Sequence, residues 1–78
     1  MDKEEILNKV LKILALFCEL RPEDINMDDR LQSDLYLGET QILDFLFKCC
    51  EEFHIDWIDA DYEMDVEDIV YEIQRALE

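Results

Sequence analysis

Residues 33–53 read SDLYLGETQILDFLFKCCEEF, and this stretch carries the clearest helical signal in the chain. Gly38 permits a turn, and from Glu39 onward apolar residues recur at the spacing of one helix face. The members of that face, at positions i, i+4, i+7 and i+11, are Ile42, Leu46, Cys49 and Phe53. The pattern predicts a helix over 39–53 that packs against a core.

The N-terminal segment predicts another amphipathic helix. Asp2 can cap its start, with Glu5 three residues later as in a capping box. The helix is predicted to end near Leu20, because Pro22 cannot continue it and biases the preceding residue away from helical angles. Its apolar positions are Ile6, Val10, Ile13 and Phe17, with Leu7, Leu11 and Leu14 beside them.

The rest of the chain predicts a last helix and two acid-rich loops. Asp65 can cap the last helix, whose apolar stripe consists of Val66, Ile69, Val70, Ile73 and Leu77. In the first loop, Ile25 and Leu31 are predicted to reach the core, and the second loop is predicted to hold a short helix. No stretch alternates with a period of two. The predicted fold is one all-α domain over 1–78, a bundle of three main helices plus a short helix before the last.

Composition limits the partners. With 22 acidic and 7 basic residues, the chain has a net charge of −15 and is expected to be repelled by nucleic acids and anionic membranes. Its expected partners are proteins with a basic or mixed basic and apolar patch. The start of the chain lacks an export-type apolar core, and the longest apolar run, Ile13–Cys18, is too short to cross a bilayer. We therefore expect a cytoplasmic protein.

Candidate reactive groups are few. The three cysteines, Cys18, Cys49 and Cys50, are interpreted as core or half-buried thiols in a reducing compartment. The single His54 has no partner at a catalytic spacing. Asp61, Glu63, Asp65 and Glu72 have the spacing of a calcium loop, but Val66 stands at the sixth position, where a glycine normally turns the chain. A solvated acidic loop is therefore favoured over a metal site, and neither a cofactor nor an enzymatic activity is predicted.

Three segments in order resemble the acyl carrier protein family, the phosphopantetheine-binding fold, over nearly the whole chain. LRPEDI (20–25) resembles the loop entry after the first helix, and DVEDIVYEI (65–73) resembles the last helix. Between them, LQSDLYLGETQILDFLFKCCEEFHIDW (31–57) resembles the stretch from the Asp-Leu pair through the attachment site and second helix. The resemblance implies a four-helix bundle with a long first loop and a short third helix.

The family's attachment site is altered in this chain. The resemblance places the family's Asp-Ser-Leu triplet on Gly38, Glu39 and Thr40, so the serine that accepts the phosphopantetheine arm is replaced by a carboxylate. A carboxylate would give a hydrolysable acyl phosphate rather than a stable phosphodiester. The chain is similar in this respect to a branch of small bacterial carrier-like proteins that lack the serine, and no prosthetic group is expected. A carrier modified at an atypical hydroxyl such as Thr40 is the alternative.

The second helix is the predicted docking face, because the family docks its acidic second helix on basic patches of partners. The matching positions here are Gln41, Leu43, Asp44, Phe47, Cys50 and Glu51, and Glu39 is a candidate mimic of the missing phosphate charge. Leu43 and Phe47 either pack under a loop or form an apolar docking strip flanked by charge. Two alternatives remain: a homodimer formed through this strip, and an acidic protein that mimics nucleic acid and inhibits a nucleic-acid-binding protein.

Overall fold

The computed structural model describes all residues, 1–78, and is built from α-helices. Three helices are present, α1 at Lys3–Cys18, α2 at Glu39–Phe53 and α3 at Val66–Leu77, with one 3₁₀ turn at Pro22–Asp24. No strand is formed, and the only β-type pairing is an isolated bridge between Arg30 and Asp65. The all-α prediction is confirmed. None of the helices combines the length and apolar character needed to cross a membrane.

The helix ends follow from local chemistry. Asp2 Oδ1 accepts a hydrogen bond from the backbone N–H of Glu5 at 2.9 Å and caps α1. Asp65 and Asp68 cap α3 reciprocally, since each carboxylate accepts from the other's backbone N–H at 2.9 and 3.3 Å. At its other end α1 stops at Cys18, where Glu19 takes a left-handed conformation with φ 57°.

Helix α1 is the central element, because it packs against both α2 and α3. Lys9 of α1 forms an ion pair with Glu52 of α2 at 3.3 Å, and the Phe17 ring meets the Phe45 ring edge-on at 6.2 Å. The residue order along α2 is thus reversed relative to α1, so the two helices run antiparallel. The fully buried residues of α1 are Ile6, Val10 and Leu14, whereas Ile13 and Phe17 of the predicted stripe are only half-buried.

The predicted stripes of α2 and α3 each need one correction. Phe45 is fully buried on α2, and Leu46, which was predicted to face the core, is half-buried. The buried face therefore uses the i+3 rather than the i+4 neighbour of Ile42, because α1 approaches α2 from the side of Phe45. On α3 the stripe is buried up to Ile73, but Leu77 in the last turn is 39% exposed.

The two long loops lie against each other and complete the core. The backbone N–H of Leu31 donates to Met64 O at 3.1 Å, and that of Val66 donates to Asp29 O at 3.1 Å. The residues that the loops contribute to the core are Ile25, Leu31, Leu35, Leu37 and Ile58. The first two of these confirm the predicted core contacts of the first loop.

The short helix predicted before the last helix is not formed. Between His54 and Asp65 the chain makes only bends and a turn. Asp61 Oδ1 accepts from the backbone N–H of Glu63 at 2.9 Å, and Asp61 O accepts from that of Met64 at 3.5 Å. An aspartate that binds the backbone two residues ahead stabilises a turn at the expense of a helix, which explains why this acid-rich segment is not helical.

Candidate functional site

The N-cap residue of α2 is Gly38, which has no side chain to accept a hydrogen bond from the first turn. Instead, its own backbone N–H donates to Gln41 Oε1 at 2.9 Å. Gln41, predicted as a docking residue, thus also stabilises the helix start. Glu39 and Thr40 follow as the first two helical residues, and both are exposed. An acidic side chain in the first turn stabilises a helix by about 0.3–1 kcal/mol, because it faces the positive end of the helix dipole.

Glu39 also makes a contact across the chain. The Tyr62 hydroxyl, from the loop before α3, donates to Glu39 Oε1 at 2.6 Å. This hydrogen bond raises the pKa of Tyr62, because deprotonation would remove the donor and place a second negative charge beside the carboxylate; partial desolvation acts in the same direction. Glu39 therefore ties the second loop to the start of α2.

The outer face of α2 carries large apolar side chains that are exposed to solvent. Leu43 is 41% exposed and Phe47 is 62% exposed, so neither packs under a loop or another helix. Asp44 and Glu51 lie exposed on the same side, and Cys50 is half-buried at its margin. Hydrophobic side chains surrounded by charge are typical of protein-binding surfaces.

A shallow groove of about 340 Å³ runs along this face, and we call it the α1–α2 groove. It is lined by Phe17, Asp44, Phe47, Lys48 and Glu51. Lys48 and Glu51 form a long ion pair at 3.9 Å, with both side chains largely exposed. Phe17 was not predicted for this site, because only the antiparallel packing of α1 on α2 places it there.

The thiols and the histidine offer no catalytic arrangement. All three cysteines are free, and burial raises the pKa of each thiol, that of Cys49 to about 12. Thiols held in the neutral form are poor nucleophiles. His54 is exposed and serves as the left-handed C-cap of α2, with φ 55°, where its backbone N–H donates to Cys50 O.

The acidic side chains of the candidate calcium loop do not converge. Asp65 caps α3, Glu72 pairs with Arg75 at 3.5 Å, and Glu63 pairs with Arg30 at 3.5 Å. Glu63 also accepts from the Ser33 hydroxyl at 3.3 Å. No group of three or more His, Cys, Asp or Glu residues is placed to hold a metal ion. The calcium-loop spacing in the sequence is therefore not accompanied by a calcium-loop geometry.

Comparison with known proteins gives no family by similarity. The chain matches no protein-family model and none of the curated proteins.

Proposed function

We propose that the chain is a non-enzymatic, acyl-carrier-protein-like interaction module that carries no phosphopantetheine arm and docks on partner proteins through α2. The observation that supports this most directly is the exposure of Phe47, 62%, on a helix face that also presents Asp44 and Glu51. A large aromatic side chain in such a position is the usual anchor of a protein interface, and the charges around it select the partner.

The chemistry at the start of α2 supports the absence of an arm. Glu39 offers a carboxylate where the resemblance expects a hydroxyl, and that carboxylate is already bonded to Tyr62 at 2.6 Å. The nearest aliphatic hydroxyl along the sequence is on Thr40, one residue further along the helix. That step rotates the side chain by about 100° and advances it by about 1.5 Å, a displacement large enough to disfavour a positioned transfer reaction.

The competing function, a carrier modified on Thr40, has one observation in its favour, since that side chain is exposed at the helix start. Intact-mass measurement on the chain co-expressed with an active phosphopantetheinyl transferase separates the two. We expect the unmodified mass, with a functional carrier protein modified in the same cells as positive control. A mass gain of one arm that disappears in Thr40→Val would overturn the proposal.

Docking through α2 is tested by capture of interacting proteins from the source cells on the immobilised chain. Phe47→Ala and Asp44→Lys should each lose the captured protein, because one removes the apolar anchor and the other reverses a flanking charge. Tyr71→Ala and Asp59→Lys are matched controls, since both side chains are exposed on α3 or in the second loop. Equal capture by all four variants and the unaltered chain would contradict the proposed docking face.

A further inference from the structure

The α1–α2 groove places one apolar anchor between two acids. Phe47 and Phe17 both line the groove, and the Phe17 ring packs edge-on against the fully buried Phe45 at 6.2 Å. An apolar side chain seated there would reach aromatic surface that is continuous with the core. The groove is therefore suited to an inserted aliphatic or aromatic residue.

The charges along the groove have a regular spacing. Counting from Asp44, Phe47 stands at i+3, Lys48 at i+4 and Glu51 at i+7. Since each helical residue advances 1.5 Å, the two acids are about 10.5 Å apart along the axis, and seven residues return almost to the same face. Two positive groups at that separation, with an apolar side chain between them, would match the groove.

The overall charge decides which kind of occupant fits. A second copy would bring another net charge of −15 and oppose acids to acids, so a dimer through this face is disfavoured. Nucleic acid and anionic lipid are repelled for the same reason. The chain has no strand and so no sheet edge that could accept an extended peptide. A basic helix presents residues i, i+3 or i+4 and i+7 on one face, which is the pattern of the groove.

We infer that the α1–α2 groove binds a basic amphipathic helix of a partner protein, with Lys or Arg at i and i+7 opposite Asp44 and Glu51 and an aliphatic or aromatic residue at i+3 or i+4 beside Phe47. This inference rests on the proposed docking function and specifies the partner's chemistry. The Lys48–Glu51 ion pair is long, at 3.9 Å, and exposed. A lysine or arginine of the partner can therefore replace Lys48 beside Glu51 with little loss of free energy.

The test uses two synthetic peptides of about 18 residues, long enough to be helical, with identical composition and net charge. In the matched peptide the lysines stand at i and i+7 with leucines between them; in the isomer they stand at i and i+5, which turns one away from the groove. We expect the full chain to bind the matched peptide about tenfold more tightly, measured by fluorescence anisotropy at fixed salt.

Variants assign the binding to the groove. Phe47→Ala should weaken the matched peptide by about tenfold or more, as expected for a central anchor, and Tyr71→Ala should leave it unchanged. Lys48→Glu should tighten it, because the like charge is removed. Equal affinity for the two peptides, or equal affinity of Phe47→Ala and Tyr71→Ala for the matched peptide, would overturn the inference.

The docking function and the helical nature of the partner can be disproved separately. If both peptides bind alike while Phe47→Ala still loses the cellular partner and the chain takes up no arm, the docking function stands and the helical partner is wrong. If the chain gains the mass of an arm, the proposed function is wrong whichever peptide binds.

Discussion

Glu39 has a structural role at the position where the resemblance expects a modified serine. Its carboxylate sits in the first turn of α2 and accepts from Tyr62, 23 residues away, at 2.6 Å. The bond links two segments that share no other side-chain hydrogen bond at the start of α2. A serine at this position would be too short to make the same contact with Tyr62.

This contact predicts a pH dependence. The pKa of Tyr62 is raised in the folded chain, so the bond contributes fully below the ordinary tyrosine pKa of about 10 and is lost as pH rises through the raised value. Glu39→Ala should move the pKa of Tyr62 back toward its ordinary value, because the hydrogen-bond acceptor and its negative charge are both removed. Tyrosinate absorbance, corrected with Tyr62→Phe, measures this; an unchanged titration in Glu39→Ala would show that the bond is not formed in solution.

The thiols predict a low chemical reactivity. Burial raises the pKa of Cys49 to about 12, so its thiolate is scarce near neutral pH, and Cys18 and Cys50 shift in the same direction. At pH 8 we expect alkylation to proceed slowly in the folded chain, with Cys49 last, and rapidly at all three sites in urea. Peptide mass spectrometry against time assigns the order. Fast modification of Cys49 without denaturant would contradict its burial.

At the level of the helices, the rotation of α2 was predicted wrongly, because the predicted stripe ran through Leu46 instead of Phe45. Both Phe45 and Leu46 are apolar and adjacent, and a stripe through Ile42 can continue at i+3 or i+4. Packing against α1 selects Phe45, whose ring meets that of Phe17 at 6.2 Å and is completely buried. Because Phe45 and not Leu46 faces the core, α2 is rotated about its axis relative to the prediction. This rotation places Phe47 and Lys48 at the α1–α2 groove.

This rotation gives a stability prediction. Phe45→Ala should lower the free energy of unfolding by about 3–5 kcal/mol, because it leaves a cavity in the core. Leu46→Ala should lower it by less, since that side chain is only half-buried. Urea denaturation followed by circular dichroism measures both. If Phe45→Ala does not fold, Phe45→Leu provides the comparison; a greater loss in Leu46→Ala would mean that α2 is rotated the other way.

The sequence predicted those features that depend on residues close together in the chain, above all the helix ends. Asp2, Pro22 and Asp65 define helix ends through their own backbone chemistry, and the helices begin and end close to the predicted residues. The Glu39–Tyr62 bond and the place of Phe17 in the groove depend on segments far apart in the chain, for which no sequence signal exists. The prediction of a short helix before α3 was wrong, because Asp61 stabilises a turn in that segment.

For the whole molecule, the dominant electrostatic feature is self-repulsion. The chain has 22 acidic and 7 basic residues within a body measuring 30 × 24 × 18 Å. Most of its ion pairs are between exposed side chains, such as Arg21 with Asp24 and Lys48 with Glu51. Pairs of this kind are worth at most about 1 kcal/mol each. At ~0.01 M salt the screening length is about 30 Å, so every acid interacts with all the others.

Salt should therefore stabilise the fold. At about 0.15 M the screening length falls to about 8 Å, which removes most repulsion across the molecule, while the loss from weakened surface pairs is small. We expect the urea midpoint to rise with sodium chloride at constant slope, since the surface exposed on unfolding does not change. Glu4→Gln combined with Asp59→Asn removes two exposed acids and should reduce the salt response. A midpoint that falls with salt would mean that the ion pairs outweigh the repulsion, and the preference for a basic partner would then have to arise from the local acids of the α1–α2 groove alone.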